Sequence, residues 1–529
     1  MNQISISQVI SFMNIISYSP GGFEGDIVSV EADLRSGIPG VNLVGMPDTA
    51  VKESVERVRI AIKNSSYDFP GKRIVVNLAP AGIKKEGASF DLPIAISILQ
   101  KTGLFGDNRE RKIMVLGELQ LSGAIRSVNG VLSAVIAGQR EGVYAYIVPE
   151  GNIEEALSSK AERIYPCSHL LEAVDVLKKI SEDILPEYNL KPQNIESEKA
   201  GQTNSAEENS ISDIKGHKYL KEALTIAAAG MHNIILFGPP GSGKTLAGSR
   251  LVSLLPDLDL EDSIEVTRIY SLAGLLKNGA GLIKRPPYRS PHHTSSMEGL
   301  IGGGRIIKPG EISLAHKGVL FLDETPEFRR SILQCLREPV ENGKVYLARA
   351  GRNSWFPADF QIVMAANSCP CGNRGKDDSV CRCTDIDVYR YWKRVGGALI
   401  DRIDIRIPVM PVESEILTEE SSDSGEEYYK MVQNAVEIQK QRFKDFAYKR
   451  NSRIPPSECN LFIKLPEKSK DILSKAVHKF SFSARAVHSI MKLARTCADM
   501  KGNSSVDVDH ESLLHSIQMR RYGDKDFFW

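Results

Sequence analysis

NIILFGPPGSGKT, residues 233–245, is the stretch that decides the fold. Residues 234–237 are a short apolar run of strand character. The loop Gly238, Pro239, Pro240, Gly241, Ser242, Gly243, Lys244 and Thr245 then satisfies GxxxxGK[ST], and TLAGSRLVSLLP (245–256) continues with helical apolar spacing. In that context the glycines let successive backbone N–H groups curl around phosphate oxygens. Lys244 would reach the β and γ phosphates, and the Thr245 hydroxyl would ligate Mg²⁺. ATP and Mg²⁺ are therefore the expected ligands.

Working outward, GVLFLDE (318–324) and FQIVMAAN (360–367) are two further buried-strand candidates, as a parallel sheet requires. Two acids at the end of VLFL supply what a Walker-B strand needs. Asp323 would position the metal, directly or through water, and Glu324 would polarise the attacking water as a general base. Asn367, at the end of the next strand, suits a sensor of the γ phosphate, a role that depends on the rest of the constellation because Asn at a strand end is also a turn former.

At 529 residues the chain exceeds one hydrophobic core, so two or three domains are expected. Its 42% hydrophobic and 25% charged residues are those of an ordinary globular chain, and the net charge of +1 leaves any nucleic-acid affinity to local clusters of Lys and Arg. No run of apolar residues is long enough to span a membrane and the start lacks a basic n-region, so a cytoplasmic location is expected. Residues 181–212 are polar, acidic and poor in aromatics, which predicts a linker. Before it, IVSVEADL, RIVVNLA, IMVLGEL and AYIVP alternate with helical runs such as TAVKESVERVRIAIKNS, predicting an α/β domain over 1–175. The nucleotide core is expected over 213–412 and a helical lid over 413–529, where EYYKMVQNAVEIQKQRFKDF and SARAVHSIMKLARTCADM are the clearest elements.

Four of the eight cysteines, Cys369, Cys371, Cys381 and Cys383, form two CxC pairs within fifteen positions. Four thiolates in a reducing compartment suit a closed tetrahedral Zn²⁺ site, whereas the CxC spacing, in place of CxxC, keeps free or redox-active thiols open.

The blocks GMPDTAVKESVERVRIAI, NLAPAGIKKEGASFDLPIAI, GPPGSGKT, RPPYRSPHHTSS, GVLFLDE, NSCPCG with CRC, and LIDRIDI with FSARAVHSIMKLART occur in order along nearly the whole chain. Together they resemble the YifB/ComM family of magnesium-chelatase-like AAA+ proteins. The resemblance implies a homohexameric ring in which Arg402, in IDRIDI, is the arginine finger and Arg485, in FSARAVH, is the sensor-2 residue of the lid. A positive fork near the γ phosphate would stabilise the transition state. For Arg402 a surface salt bridge is the plain alternative. The segment from about 270 to 310 would be the helix-2 insert of this subclass, offering Arg285, Arg289, His292, His293 and Arg305 to a ring channel. EPVENGKVYLARAG reads as a hairpin turning at Asn342-Gly343, with Lys344 at or next to its tip. Both sets of basic residues fit DNA contact or simple solvation.

Residues 1–175 resemble the Lon-protease-like fold, whose peptidase pairs a serine with a lysine base. Ser89 in EGASFDLP matches the nucleophile, but Leu132 stands where the lysine would be and cannot take a proton. The domain is expected to keep the fold without proteolysis. For the whole chain the resemblance implies an ATPase and helicase that remodels single-stranded or branched DNA in recombination or natural transformation. A chelatase-type motor that remodels a partner protein is the competing expectation.

Overall fold

Alternating apolar and polar residues in the first 170 positions build a mixed sheet. The computed structural model describes residues 13–106, 111–186, 210–349, 352–376, 379–412 and 425–522. Strands β1 (Asn14–Ser19), β2 (Asp26–Arg35), β3 (Gly40–Val44), β4 (Arg73–Ala79), β5 (Lys112–Val115), β6 (Ala145–Pro149) and β7 (Ile164–Cys167) lie in the order β3-β4-β2-β1-β5-β6-β7. β2 runs antiparallel to both of its neighbours, and the other pairs are parallel. In β5, Ile113 and Val115 face helices Thr49–Asn64, Asp91–Lys101 and Leu170–Ser181, while Met114 faces helix Val131–Arg140, as the two-residue period of a strand dictates. Helix Leu170–Ser181 places Leu177 and Ile180 in the core, so this unit continues past the expected boundary at 175. Most of the predicted linker, residues 187–209, lies outside the described residues.

The second sheet is wholly parallel: β8 (Ile234–Gly238), β9 (Tyr288–Arg289), β10 (Val319–Leu322), β11 (Gln361–Asn367) and β12 (Ile405–Pro408), in the order β9-β10-β11-β8-β12. Both its faces are covered. Ile234 and Leu236 point into one apolar cluster and Ile235 and Phe237 into the other, which is why these strands read as continuous apolar runs. Register pairs Gly238 with Asn367 and Leu322 with Met364, so the glycine loop, Asn367 and Asp323 all leave the sheet at its carboxyl end, where ligands bind in such folds.

Helices Gly425–Arg442, Glu467–Phe480, Ala484–Met500 and His510–Arg520 make up the C-terminal part, and the last three share an apolar cluster. The first packs Val432, Ala435 and Val436 into the core of the second sheet, beside helix Lys218–Gly230. Residues 413–424 and the terminal 523–529, both assigned to the lid from sequence, fall outside the described residues.

The first unit is also joined to the second. Arg268, on helix Leu260–Ala273, is 5% exposed and reaches the loop between β1 and β2, with its guanidinium 3.9 Å from the Phe23 ring centre. It donates to the Phe23 carbonyl at 3.0 Å and to Ser133 Oγ at 3.2 Å. Phe23 N donates to the Trp355 carbonyl at 2.9 Å, closing the seam from the other side.

Candidate active site

The glycine loop turns through Gly241 and Gly243, at φ +83° and +84°, a region that side chains with a Cβ rarely adopt. Helix Lys244–Arg250 follows. It lies so close to β10 that a Cβ on Gly248 would fall 2.2 Å from the Phe321 ring. That contact sets the helix against the Walker-B strand. Lys244 Nζ, in a side chain only 8% exposed, donates to the Gly238 carbonyl at 3.0 Å and the Pro239 carbonyl at 2.7 Å. Burial pulls its pKa down to about 8, against the opposing attraction of Asp323.

The Thr245 hydroxyl donates to Asp323 Oδ2 at 2.7 Å, and Asp323 Oδ1 accepts from the Glu324 amide at 2.9 Å. The two predicted Mg²⁺ ligands thus already meet at one point, and a hard cation would find its hydroxyl and carboxylate oxygens side by side there. Two residues past the strand, Glu324 sits at φ +48°, in a left-handed turn, with its carboxylate exposed. That carboxylate faces the His293 ring, with Nδ1 to Oε2 at 3.6 Å. β9 and β10 explain the meeting. Arg289 pairs with Leu320, so both chains leave the parallel pair at the same end of the sheet, where His293 and Glu324 meet. The sequence directs His293 toward a channel; its position beside the Walker-B acid is not legible there, because it depends on β9 lying beside β10.

Arg402 and Arg485 come together on a shared carboxylate. Arg402 bonds Glu341 Oε2, and Arg485 Nη2 lies 2.7 Å from Glu341 Oε1. Within this chain Arg402 therefore makes the salt bridge of the plain alternative, and the two guanidiniums hold Glu341 below its usual pKa, Arg402 most strongly. Asn233 Nδ2 donates to the Arg402 carbonyl at 3.2 Å, which places that arginine at the amino end of β12, level with the start of β8. Its own glycine loop begins at Gly238, five residues further along and so about 16 Å away at ~3.3 Å per strand residue.

Two basic segments depart from expectation. Asn342-Gly343 is no hairpin turn. Asn342 ends helix Arg337–Asn342 and Gly343, at φ +65°, caps it, so Lys344 opens the first strand of the hairpin at its base, with Nζ 4.5 Å from the centre of the Trp355 ring. The hairpin pairs Lys344–Arg349 with Arg352–Pro357, with Arg349 opposite Arg352 beside the turn and Tyr346 exposed on the first strand. Of the insert residues, Arg289 donates from Nε and Nη2 to Glu311, each at 2.6 Å, and is not offered outward. The His292 ring lies tilted against that of His293, centroids 4.1 Å apart, and bonds Thr294. Arg285 and Arg305 are exposed and, among the described residues, have no ion-pair partner. Arg305 follows the strand Gly302–Gly303, whose antiparallel partner is Lys308–Pro309.

Cys369, Cys371, Cys381 and Cys383 converge, all four Sγ atoms within 4.8 Å of one another, although their chain segments lie ten residues apart. Cys369 lies 3.4 Å from Cys371 and 3.6 Å from Cys381, and Cys371 lies 3.7 Å from Cys381. Thiolates bound tetrahedrally at ~2.3 Å stand about 3.8 Å apart, so the donor set fits Zn²⁺. Asn373 N–H holds Cys371 low while burial raises Cys369. In the first unit Leu132 is fully buried, and its amide donates to the Glu155 carboxylate at 2.8 Å; Ser89 is half-buried. No proton acceptor occupies the lysine position.

With this geometry in place, the comparisons agree. A family model described as magnesium chelatase, subunit ChlI, matches residues 210–417. The model for subunit ChlI of Mg-chelatase matches 30–152, and that for the ChlI C-terminal part matches 422–520. Competence protein ComM of Haemophilus influenzae is 38% identical over 515 residues, covering 97% of this chain and 98% of that protein. YifB of Escherichia coli is 36% identical over 489 residues, covering 92% and 93%. Lon protease of Methanosarcina barkeri is similar over 143 residues at 27% identity, 26% of this chain and 17% of that one, in keeping with the Lon-like first unit. Among the described residues no helix is long and apolar enough to cross a membrane. The chain belongs to the YifB/ComM family of magnesium-chelatase-like AAA+ ATPases.

Proposed function

We propose that this protein is a ring-forming motor that spends ATP to remodel DNA, single-stranded or branched, with branch migration or strand separation as the outcome. The observation that carries the ring is the position of Arg402 and Arg485. They sit together at the end of the sheet remote from their own glycine loop, so the site they can complete belongs to a neighbouring copy. Six copies are the expected closure. Lys244 and the loop amides hold the triphosphate, Thr245 and Asp323 hold Mg²⁺, Glu324 orients the attacking water, and Asn367 reads the γ phosphate. Mg²⁺ held there would neutralise charge developing on the phosphoryl oxygens.

Two features support a polyanion as the substrate. One is the hairpin Lys344–Arg349 with Arg352–Pro357, which brackets its turn with two arginines; the other is the exposed Arg305 of the insert. The competence protein named among the relatives accords with a role in natural transformation. The cysteine cluster is proposed to hold a structural Zn²⁺. ATP turnover measured with and without single-stranded, duplex and branched DNA tests the reading. Stimulation by DNA, lost at high salt and in Lys244→Ala, is the expected result. Salt-independent turnover that no DNA affects would leave a motor acting on a partner protein, as the chelatase resemblance suggests.

A further inference from the structure

Two arginines from different parts of the chain rest on one carboxylate. Arg402 follows helix Gly397–Ile400 on the nucleotide core, whereas Arg485 lies in the first turn of the lid helix Ala484–Met500. Like charges brought together repel, so the pair needs an anion between its members. Glu341, in the last turn of helix Arg337–Asn342, is that anion: Oε2 accepts from Arg402 Nη2, and Oε1 accepts from Arg485 Nη2 at 2.7 Å.

The two arginines are unequally fixed. Arg402 also gives Nη1 to the Ala398 carbonyl at 2.7 Å and is 13% exposed. Arg485 is 42% exposed, and among the described residues Glu341 is the sole hydrogen-bond partner of its side chain. The lid helix itself is anchored separately. Ser483, its N-cap, donates to Asp401 Oδ1 at 3.2 Å, and Ser489 bonds Asp404. Removing the Glu341 carboxylate therefore frees the Arg485 side chain while the helix that carries it stays in place. Nor does the shared carboxylate exhaust either fork. Each arginine meets it through Nη2, and a guanidinium carries five N–H donors in a rigid plane, which leaves donors for phosphate oxygens. A side chain already held in its working geometry loses less freedom when the ligand arrives.

We propose that Glu341 is a positioning residue for the nucleotide site of the adjacent copy: it holds Arg402 and Arg485 side by side, so that both guanidiniums reach the triphosphate bound there together. The inference rests on the reading of the two arginines as acting across the ring, and adds to it the group that pairs them. Glu341 acts through the guanidiniums and touches neither nucleotide nor metal.

ATP turnover by assembled full chains, alone and as mixtures of two variants combined before assembly, tests this. Glu341→Ala should lower kcat roughly tenfold to a hundredfold, the usual effect of a misplaced catalytic group, with KM for ATP changed less than about threefold. Glu341→Gln, whose single carbonyl oxygen can accept from one arginine while its amide opposes the other, should fall between Glu341→Ala and the parent, and carries the same test if the alanine variant does not assemble. Glu341→Ala keeps a working glycine loop, and Lys244→Ala keeps a paired set of arginines. Mixed in equal amounts, the two should turn over ATP faster than either alone, because some interfaces then join an intact pair to an intact loop. Turnover by both Glu341 variants at the parent kcat would overturn the proposal. So would a loss that mixing with Lys244→Ala does not relieve while the same mixing relieves Arg402→Ala, since Glu341 would then act inside its own subunit. Failure of the mixture to relieve Arg402→Ala as well would instead refute the reading of the arginines across the ring.

Discussion

Arg268→Ala should undock the first unit from the nucleotide core. The buried guanidinium gives charge-assisted hydrogen bonds to the Phe23 carbonyl and Ser133 hydroxyl, and stacks on the Phe23 ring. Such bonds contribute about 1.5–3 kcal/mol each, and a desolvated cation–π contact about 2 kcal/mol. Burying the charge offsets much of this, as the lowered pKa of Arg268 under desolvation shows. A net loss of about 3 kcal/mol follows, which corresponds to a roughly hundredfold rise in the undocked population. Hydrogen–deuterium exchange at the Phe23 amide reads it directly, because that amide is held by the Trp355 carbonyl across the seam. Exchange there should accelerate in Arg268→Ala while amides of β10 and β11 stay protected. Arg268→Lys should rescue little, since a single ammonium cannot match the fork. Unchanged exchange at Phe23 would refute the reading of Arg268 as the joint between the units.

Further outcomes concern the cluster, the hairpin and acid stability. Cys371→Ser or Cys383→Ser should lower bound zinc from one ion per chain to a small fraction of that, measured by elemental analysis after dialysis. Replacing Arg349 and Arg352 together by Ala should weaken DNA binding evenly across sequences and flatten the log–log salt slope by about one per arginine removed; an unaltered slope would take the hairpin off the DNA path. Asp404 is lowered to about 2: burial raises it, but His232 and Ser489 outweigh that. An ordinary aspartate titrates at 3.8, so in the folded chain this carboxylate keeps its charge to lower pH. Its stabilisation is complete above pH 4 and lost as the pH falls toward 2, and Asp404→Asn should remove that acid limb from the exchange protection of helix Ala484–Met500.

Much of the nucleotide site is legible in the sequence because its parts are contiguous. GPPGSGKT carries the whole phosphate loop, and VLFLDE carries both the strand and its acids. RIVVNLA and AYIVP read as strands at their true limits, since each alternates or runs apolar over the length that the sheet uses. The errors lie where one local signal serves two structures. Asn-Gly suits a tight hairpin turn and equally a left-handed helix cap, and here Gly343 is the cap, which moves Lys344 from the tip to the base. Side-chain partners distant in sequence leave no local trace at all. Nothing near Arg289 announces Glu311, and nothing near Arg485 announces that it shares Glu341 with Arg402.

The most direct test of the nucleotide site is ATP binding and turnover by the purified, zinc-loaded chain beside Lys244→Ala and Glu324→Gln. Turnover by the parent protein, loss of binding in Lys244→Ala, and retained binding with turnover reduced about 10²–10⁴-fold in Glu324→Gln are the predicted results. A parent protein that neither binds nor cleaves ATP under any assembly condition, or a Glu324→Gln variant that turns over at the parent rate, would contradict the assignment.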